Sequence, residues 1–209
     1  MEPSSQVLVV VPAYNAESCI ETTIRSVIDQ SHSLWTLVVV DDGSTDRTAE
    51  IAAAFSQQDS RVQVLRLPKN SGRPSVPRNR GLEHAIASGI SFDYLAFLDS
   101  DDSWLPDKLR LDLDHFRDSP SVEMVHANGI LILRNGTITR KKLRRIRTVT
   151  GLLLFNHITC SSVILRKSLA LERRPLFDED PFLKAVEDTE LWYRLLADKV
   201  SCGVVESYQ

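Results

Sequence analysis

Residues 7–15 read VLVVVPAYN, an uninterrupted apolar run that Pro12 closes. A strand with one solvated face alternates apolar and polar residues, whereas a strand buried on both faces of a parallel sheet is apolar throughout. We therefore predict a buried parallel strand here. The apolar side chains of Ile20–Ile28 then recur at helical spacing, which predicts a helix with Asn15 or Ser18 as its N-cap.

The same order of strand and helix repeats through the first half of the chain. Further strands are predicted at Leu37–Val40, Val62–Leu67 and Tyr94–Leu98, and helices at Asp46–Phe55, from Pro77 and from Pro106. This alternation predicts an α/β fold with a mainly parallel sheet. The second half is less regular, with strand material at Val122–Leu133, a hairpin turn at Asn135-Gly136, a helix at Val186–Leu196 and a strand near Val204.

Composition excludes several classes of protein. The 209 residues carry 25 Lys+Arg against 28 Asp+Glu, a net charge of -3 that gives no reason to expect a nucleic-acid partner. The 3 cysteines are widely spaced and form no C-x-x-C, so we expect neither a disulfide framework nor a structural zinc site. No signal-peptide pattern or membrane-spanning stretch is evident, and we expect a cytoplasmic protein of one domain.

Three aspartates lie within four positions after the Tyr94 strand, in the sequence LDSDDSW. In extended backbone, residues two apart point the same way, so Asp99 and Asp101 are expected to share a face. Two converging carboxylates suit Mg²⁺ or Mn²⁺. The alternative is that Asp102 or Ser103 caps the helix at Pro106-Asp107 and the other acids are solvated.

Polar residues also follow the other strands. Asp41 and Asp42 end the second strand, where they can bind a nucleobase or ribose, or form only a tight turn. Ligands of parallel α/β sheets bind beyond the carboxyl ends of the strands, so these acids belong at the binding edge. Asn70, Gly72 and Arg78 lie in a loop and helix start that suit a diphosphate, although solvated arginines in a surface loop are the simpler alternative.

Two acids, Glu187 and Asp188, open the last predicted helix. Acidic residues are favoured in the first turn of any helix, so their position alone is no evidence of catalysis. A catalytic role for either residue depends on the rest of the pattern.

Five motifs occur in one order along the chain. They are VPAYN at Val11–Asn15, VDDGSTD at Val40–Asp46, KNSG and RNRG within Lys69–Gly81, LDSDD at Leu98–Asp102, and FDED with VEDTELWYRL within Phe177–Leu196. Together they closely resemble the family 2 glycosyltransferases, which are inverting and use nucleotide-sugars, and the resemblance runs from about residue 7 to residue 196.

The resemblance implies a GT-A fold: a Rossmann-like, mainly parallel sheet flanked by helices, with a smaller mixed β region on the acceptor side. We expect a single domain over residues 1–209, in which residues 1–105 bind the nucleotide-sugar and residues 106–209 form the acceptor side. Members of the family usually continue further, so we expect the chain to be truncated at its C-terminus.

The resemblance also assigns roles to single residues. Nucleotide-sugar binding falls on Pro12, Tyr14, Asn15, Asp41, Asp42, Asn70, Gly72, Arg78, Asp99 and Ser100. Asp101 is expected to hold a divalent metal, Mn²⁺ or Mg²⁺, and Asp188 to deprotonate the acceptor hydroxyl, with Glu187 as the alternative base. The implied reaction moves a sugar from a nucleoside diphosphate, UDP by family frequency, to a saccharide, lipid-linked or protein acceptor in polysaccharide, cell-envelope or glycoconjugate synthesis.

A dense basic run, RKKLRRIR, occupies Arg140–Arg147. Members of the family commonly close a loop over the donor, and residues 141–150 are the candidate here. The run can instead contact anionic lipid at the cytoplasmic face of the membrane, or be a solvated basic loop.

Two other functions compete with the transferase. A nucleotidyltransferase shares this sheet architecture, but it is expected to carry a Gly-rich basic loop after the first strand, where this chain has PAYNAE. A catalytically degenerate sugar-nucleotide-binding domain is the second alternative, and the presence of every motif acid argues against it.

Overall fold

The computed structural model describes residues 5–132, 138–141, 148–155 and 158–208. The strands are β1 (Val7–Ala13), β2 (Trp35–Asp41), β3 (Val62–Arg66), β4 (Tyr94–Phe97), β5 (Met124–Ile132), β6 (Ile138–Lys141), β7 (Ile164–Arg166) and β8 (Cys202–Tyr208). The helices are α1 (Ile20–Ile28), α2 (Thr48–Gln58), α3 (Ser75–Ala87), α4 (Lys108–Asp118), α5 (Val149–Phe155), α6 (Lys167–Glu172) and α7 (Glu187–Ala197), and short 3₁₀ helices lie at Cys160–Ser162 and Pro181–Leu183.

The strands of the described ranges form one sheet in the order β3-β2-β1-β4-β7-β5-β6, with β8 paired to β5. Strands β1 to β4 are mutually parallel, and β8 is parallel to β5. Strand β7 runs antiparallel to both β4 and β5, and β6 runs antiparallel to β5. The predicted α/β fold with a mainly parallel sheet is confirmed, and the mixed pairing is confined to the second half.

Strand β1 is buried on both faces, as its uninterrupted apolar run predicts. All residues from Val7 to Val11 have 0% exposure. The side chains of Val7 and Val9 pack with α1 and α4, whereas those of Leu8 and Val10 pack with α3 and α7. Because helices cover both faces, polar groups reach solvent mainly at the ends of these strands.

Helix α1 does not begin directly after either of the predicted N-cap residues, Asn15 and Ser18. It starts at Ile20 after Cys19, and no side chain caps it. Asn15 instead takes a left-handed conformation, with φ of 49°, and its Oδ1 accepts a hydrogen bond from Thr45 N at 2.9 Å. The prediction of Asn15 or Ser18 as N-cap is therefore wrong, because Asn15 joins two loops rather than a loop and a helix.

Helix α3 approaches β1 and β2 through Gly81. A Cβ atom at this position would lie 2.5 Å from Val10 Cγ1 and 3.1 Å from Val40 Cγ2. We expect Gly81→Ala to lower the free energy of unfolding by about 1–3 kcal/mol, because the extra methyl overpacks the core. Urea unfolding measures this, with Gly129→Ala as the control, since a Cβ there meets nothing within 4 Å. Equal midpoints for both variants would contradict the close packing.

The second half agrees with the hairpin prediction as far as it is described. Strands β5 and β6 pair antiparallel from Gly129 to Ile132, but the expected turn at Asn135-Gly136 lies outside the described residues. The side chains of Arg140–Arg147 also lie outside the described residues. The structure therefore does not test whether this segment closes over the donor or contacts lipid. Within the ranges that are described, no helix is both long and apolar enough to cross a membrane.

Candidate active site

A cavity of about 620 Å³ opens beyond the carboxyl ends of β1, β2 and β4 and beside the first turns of α3 and α7. Its lining is Pro12, Ala13, Tyr14, Asp42, Asn70, Gly72, Arg73, Pro74, Pro77, Arg78, Asp99, Ser100, Asp101, Lys184, Ala185, Glu187 and Asp188. The fold thus brings together all of the sequence-predicted site residues except Asn15 and Asp41.

Asp41 does not reach the cavity. It has 0% exposure, its Oδ1 accepts a hydrogen bond from Ser44 N at 3.1 Å, and its Oδ2 lies 3.2 Å from Arg66 Nε. A carboxylate with no accessible surface cannot contact a nucleotide, so the assignment of Asp41 to nucleotide binding is corrected. Asn15 is likewise outside the lining, and its side chain joins the turn through Thr45.

Asp42 lines the cavity and holds the neighbouring loop. Both of its carboxylate oxygens accept hydrogen bonds from Ser71 N, at 3.1 and 3.0 Å, and Oδ2 also accepts from Ser71 Oγ at 2.7 Å. Burial raises the pKa of Asp42, while the hydrogen bonds from Ser71 oppose that rise. At Gly43, where φ is +71°, a Cβ would lie 2.6 Å from Asn70 N. The two loops therefore meet backbone to backbone, which only glycine permits.

The aspartates of LDSDDSW lie in three different environments. Asp99 pairs with Arg78, its Oδ1 being 2.6 Å from Nη2. Asp102 turns its carboxylate toward Ser161, whose Oγ donates to Oδ2 at 2.5 Å, and burial of this group raises its pKa although the residue as a whole is exposed. Asp101 is exposed on the cavity lining and forms no ion pair with any described residue.

The backbone at this cluster is not extended. Asp102 N donates to Asp99 O at 3.0 Å, which closes a turn, so alternation along a strand is not the reason why Asp99 and Asp101 share the cavity. The alternative of a cap by Asp102 or Ser103 is wrong as well. Helix α4 begins after Asp107, and no side chain caps it.

Arg78 lines the cavity and joins three elements there. Its side chain is 4% exposed, and its Nη1 donates to Glu187 Oε1 at 2.9 Å while Nη2 donates to Asp99. The guanidinium also lies 5.1 Å from the ring centre of Phe177. The solvated-arginine alternative is therefore wrong for Arg78. The sequence carries no local sign of these partners, because they lie 21 and 109 residues away.

Asp188 stands in the first turn of α7, half-buried at the cavity. Its Oδ1 accepts a hydrogen bond from Thr189 N at 2.6 Å. Burial raises the pKa of Asp188, and Glu187 adds to the rise, while Thr189 and Arg78 oppose it. A carboxylate with a raised pKa is a stronger proton acceptor, whereas Glu187 is occupied by Arg78. The geometry favours Asp188 over Glu187 as a base.

Sequence patterns gave no sign of some cavity residues. Arg73, whose guanidinium donates to Glu179 O, lines the cavity, as do Lys184 and Ala185. Ala185 has a left-handed backbone with φ of 68°. Such a conformation in a residue other than glycine depends on tertiary contacts and has no signature in a single sequence.

The cavity fits a divalent metal that takes most of its ligands from water and substrate. Within the described ranges, no group of three or more His, Cys, Asp or Glu side chains could hold a metal ion. Mg²⁺ and Mn²⁺ are commonly bound through one or two carboxylates, with waters and substrate phosphates as the other ligands. Asp101, exposed and unpaired among the described residues, suits a metal of this kind.

Comparison with known proteins identifies the family of the chain. A model of glycosyl transferase family 2 matches residues 8–173. The chain is 34% identical over 191 residues to the putative teichuronic acid biosynthesis glycosyltransferase TuaG of Bacillus subtilis, covering 91% of this chain and 71% of that protein. It is 31% identical over 203 residues to WfgD of Escherichia coli, a UDP-Glc:alpha-D-GlcNAc-diphosphoundecaprenol beta-1,3-glucosyltransferase, covering 95% of this chain and 74% of that protein.

Solved structures show the same fold. The structure of S. aureus TarS 1-349 in complex with UDP matches with a TM-score of 0.76 and 25% identity, covering 98% of this chain and 60% of that one. The chain thus spans about three fifths of the length of that chain. The matched region contains the carboxyl ends of β1, β2 and β4, where the cavity opens. The protein has the GT-A fold, and it belongs to glycosyl transferase family 2.

Proposed function

We propose that this chain transfers a sugar, with inversion, from a UDP-sugar to a hydroxyl of a saccharide or lipid-linked acceptor during synthesis of a cell-envelope polysaccharide. The observation that supports it most is the presence of Asp101 and Asp188 in one cavity, although they are far apart in sequence. The relatives named above act in teichuronic acid synthesis or on a diphosphoundecaprenol-linked sugar, which supports the acceptor class.

The proposed reaction is a single in-line displacement at the anomeric carbon. Asp188 takes the proton of the acceptor hydroxyl as the new bond forms, and the nucleoside diphosphate leaves. A metal held by Asp101, either Mn²⁺ or Mg²⁺, would stabilise the charge on the departing diphosphate. Because the leaving group is stabilised in this way, the chain needs no second carboxylic acid, unlike a glycosidase.

The donor is proposed to lie along residues 1–105. Tyr14, 47% exposed after the end of β1, is proposed to stack its ring on the base, and Asp42 lines the same cavity. Asp99, fixed by Arg78, is proposed to accept hydrogen bonds from ribose hydroxyls. Residues 106–209 contribute Asp188 and Lys184 and are proposed to form the acceptor side.

Membership of the family removes the nucleotidyltransferase alternative. The remaining alternative is a sugar-nucleotide-binding domain without activity. Such a domain binds the donor and does not turn it over. A panel of nucleotide-sugars, assayed for metal-dependent release of the nucleoside diphosphate, separates the two and identifies the donor.

The proposed donor site predicts metal-dependent binding of UDP. In isothermal titration calorimetry with Mn²⁺, the wild type is expected to bind UDP, and Asp101→Asn to lose this binding because the metal loses its carboxylate ligand. Asp118→Asn is the matched control, since Asp118 is 71% exposed at the end of α4 and pairs only with Arg117 among the described residues. If the wild type binds no nucleotide with any divalent metal, the proposed function is wrong.

A further inference from the structure

Residues 99–102 form the turn that carries the acids and are here called the acid loop. Ser161 holds this loop through hydrogen bonds. This residue lies in the 3₁₀ helix Cys160–Ser162, outside the cavity lining. Its Oγ accepts a hydrogen bond from Asp99 N at 3.0 Å and donates to Asp102 Oδ2 at 2.5 Å. One hydroxyl therefore contacts both ends of the acid loop.

Thr23 on α1 holds the same loop through its carbonyl groups. Its Oγ1 lies 2.8 Å from Ser100 O and 2.8 Å from Asp102 O. Thr23 is 1% exposed and, like Ser161, is absent from the cavity lining. Neither side chain can reach a ligand in the cavity, so any effect on a ligand must pass through the acid loop.

The support for Ser161 is itself anchored. Ser161 O accepts a hydrogen bond from Trp104 Nε1 at 2.7 Å. Next to it, Lys108 Nζ donates to Ser162 O at 3.4 Å and lies 4.9 Å from the ring centre of Trp104. Lys108 and Asp112 form an ion pair with 0% exposure of both side chains. The 3₁₀ helix is thus fixed to α4 by a buried polar network, and such networks are rigid when their members are paired.

The acid loop needs such support because its charges repel one another. Asp99 is neutralised by Arg78, whereas Asp101 has no partner among the described residues. A metal-binding carboxylate functions only when it is held close to its working geometry, to within about 0.5 Å. The backbone of the acid loop therefore has to be fixed by groups other than Asp101 itself.

We propose that Ser161 and Thr23 are positioning residues, which hold the acid loop so that Asp101 is placed for the metal and the diphosphate. This inference rests on the function proposed above. Neither residue touches the substrate: Ser161 acts through Asp99 and Asp102, and Thr23 acts through the loop carbonyls.

Calorimetry of UDP binding in Mn²⁺ tests this inference on three variants. Ser161→Ala removes both hydrogen bonds of the Ser161 hydroxyl. Thr23→Val removes the hydroxyl that contacts the carbonyl groups of Ser100 and Asp102, and it keeps the shape of the side chain. Each is expected to weaken UDP binding by about 10–100-fold, the usual effect of losing a group that orients a metal ligand. Ser162→Ala is the matched control, because Ser162 Oγ donates to Thr159 O at 2.8 Å and does not contact the acid loop.

A second readout separates positioning from general damage. Uridine lacks the diphosphate but keeps the ribose that Asp99 is proposed to bind. Its affinity, measured by ligand-observed NMR, is therefore expected to fall less than that of UDP in Ser161→Ala and Thr23→Val. If both variants bind UDP as tightly as the wild type does, the inference is overturned. The proposed function is unaffected by that result, because the wild type still binds UDP. An equal loss in Ser162→Ala, or an equal loss of uridine affinity, would also overturn it.

Two further outcomes have a defined meaning. If Ser161→Ala does not fold, Thr23→Val alone decides the inference, since it breaks bonds to the same loop from another helix. If the wild type binds no UDP with any divalent metal, the proposed function is rejected and this inference falls with it.

Discussion

Asp188→Asn is expected to lower kcat by about 10²–10⁴-fold, the range that general base catalysis contributes, while UDP binding is retained. The amide keeps the size of the side chain and its hydrogen bond from Thr189 N, but it cannot take a proton at neutral pH. Steady-state kinetics with the donor found in the nucleotide-sugar panel measures kcat, and calorimetry measures UDP affinity. Equal losses in both would show that Asp188 serves binding rather than proton transfer.

A matched control lies on the same helix. Glu190 pairs with Arg194 one turn later, at 3.0 Å, and both side chains are partly exposed. Glu190→Gln is therefore expected to leave kcat within about twofold of the wild type, since such pairs contribute little. Turnover that survives Asp188→Asn would remove Asp188 as the base.

The pH dependence gives a further test of the same residue. The base must be ionised to accept a proton, and burial raises the pKa of Asp188. The acid limb of kcat is thus expected at a higher pH than an ordinary aspartate would give, with the rate falling as the pH falls through that pKa. A limb at or below the usual aspartate range would contradict the assignment.

Arg78→Met is expected to lower the free energy of unfolding by about 3–5 kcal/mol, because it leaves a buried carboxylate without its partner. The larger part of this loss is expected to come from the unpaired carboxylate of Glu187, whose side chain is 6% exposed. The side chain of Asp99 is 35% exposed, so water partly screens its charge. Urea unfolding followed by circular dichroism measures the change.

The control for Arg78 lies two residues further along α3. Arg80 pairs with Glu83 at 2.6 Å, with side chains 43% and 49% exposed, so Arg80→Met is expected to cost about 0–1 kcal/mol. The double variant Arg78→Met/Glu187→Gln is expected to recover part of the loss, because the unpaired buried charge is removed. Equal losses for Arg78→Met and Arg80→Met would contradict the structural role of Arg78.

The same contacts change the role proposed for Arg78. Its diphosphate contact was expected from the motif, yet both terminal nitrogens already donate to carboxylates. We therefore propose that Arg78 fixes Asp99 and the first turn of α7, and so contributes to the donor site through these acids.

Local sequence patterns were sufficient for the parallel strands β1 to β4 and for the place of the site, whereas they did not predict β7, which lies between β4 and β5. Continuous apolar runs specify strands buried on both faces, and the alternation with helical spacing specifies the parallel sheet of β1 to β4. Since the carboxyl ends of parallel strands meet at one edge, the polar residues that follow them are brought together by topology. For this reason Tyr14, Asp42 and Asp101 could be assigned to one cavity from sequence.

Tertiary structure alone decided which of these side chains are available. Adjacent aspartates separate, because Asp41 is enclosed by its turn and Asp42 faces the cavity. Likewise Asp102 turns to Ser161, 59 residues later, while Asp101 stays exposed. Short-range patterns encode burial and turns, but the partner of a polar side chain depends on how distant elements pack. The sequence by itself therefore determined the parallel sheet and the location of the site, and packing determined which acids can meet a ligand.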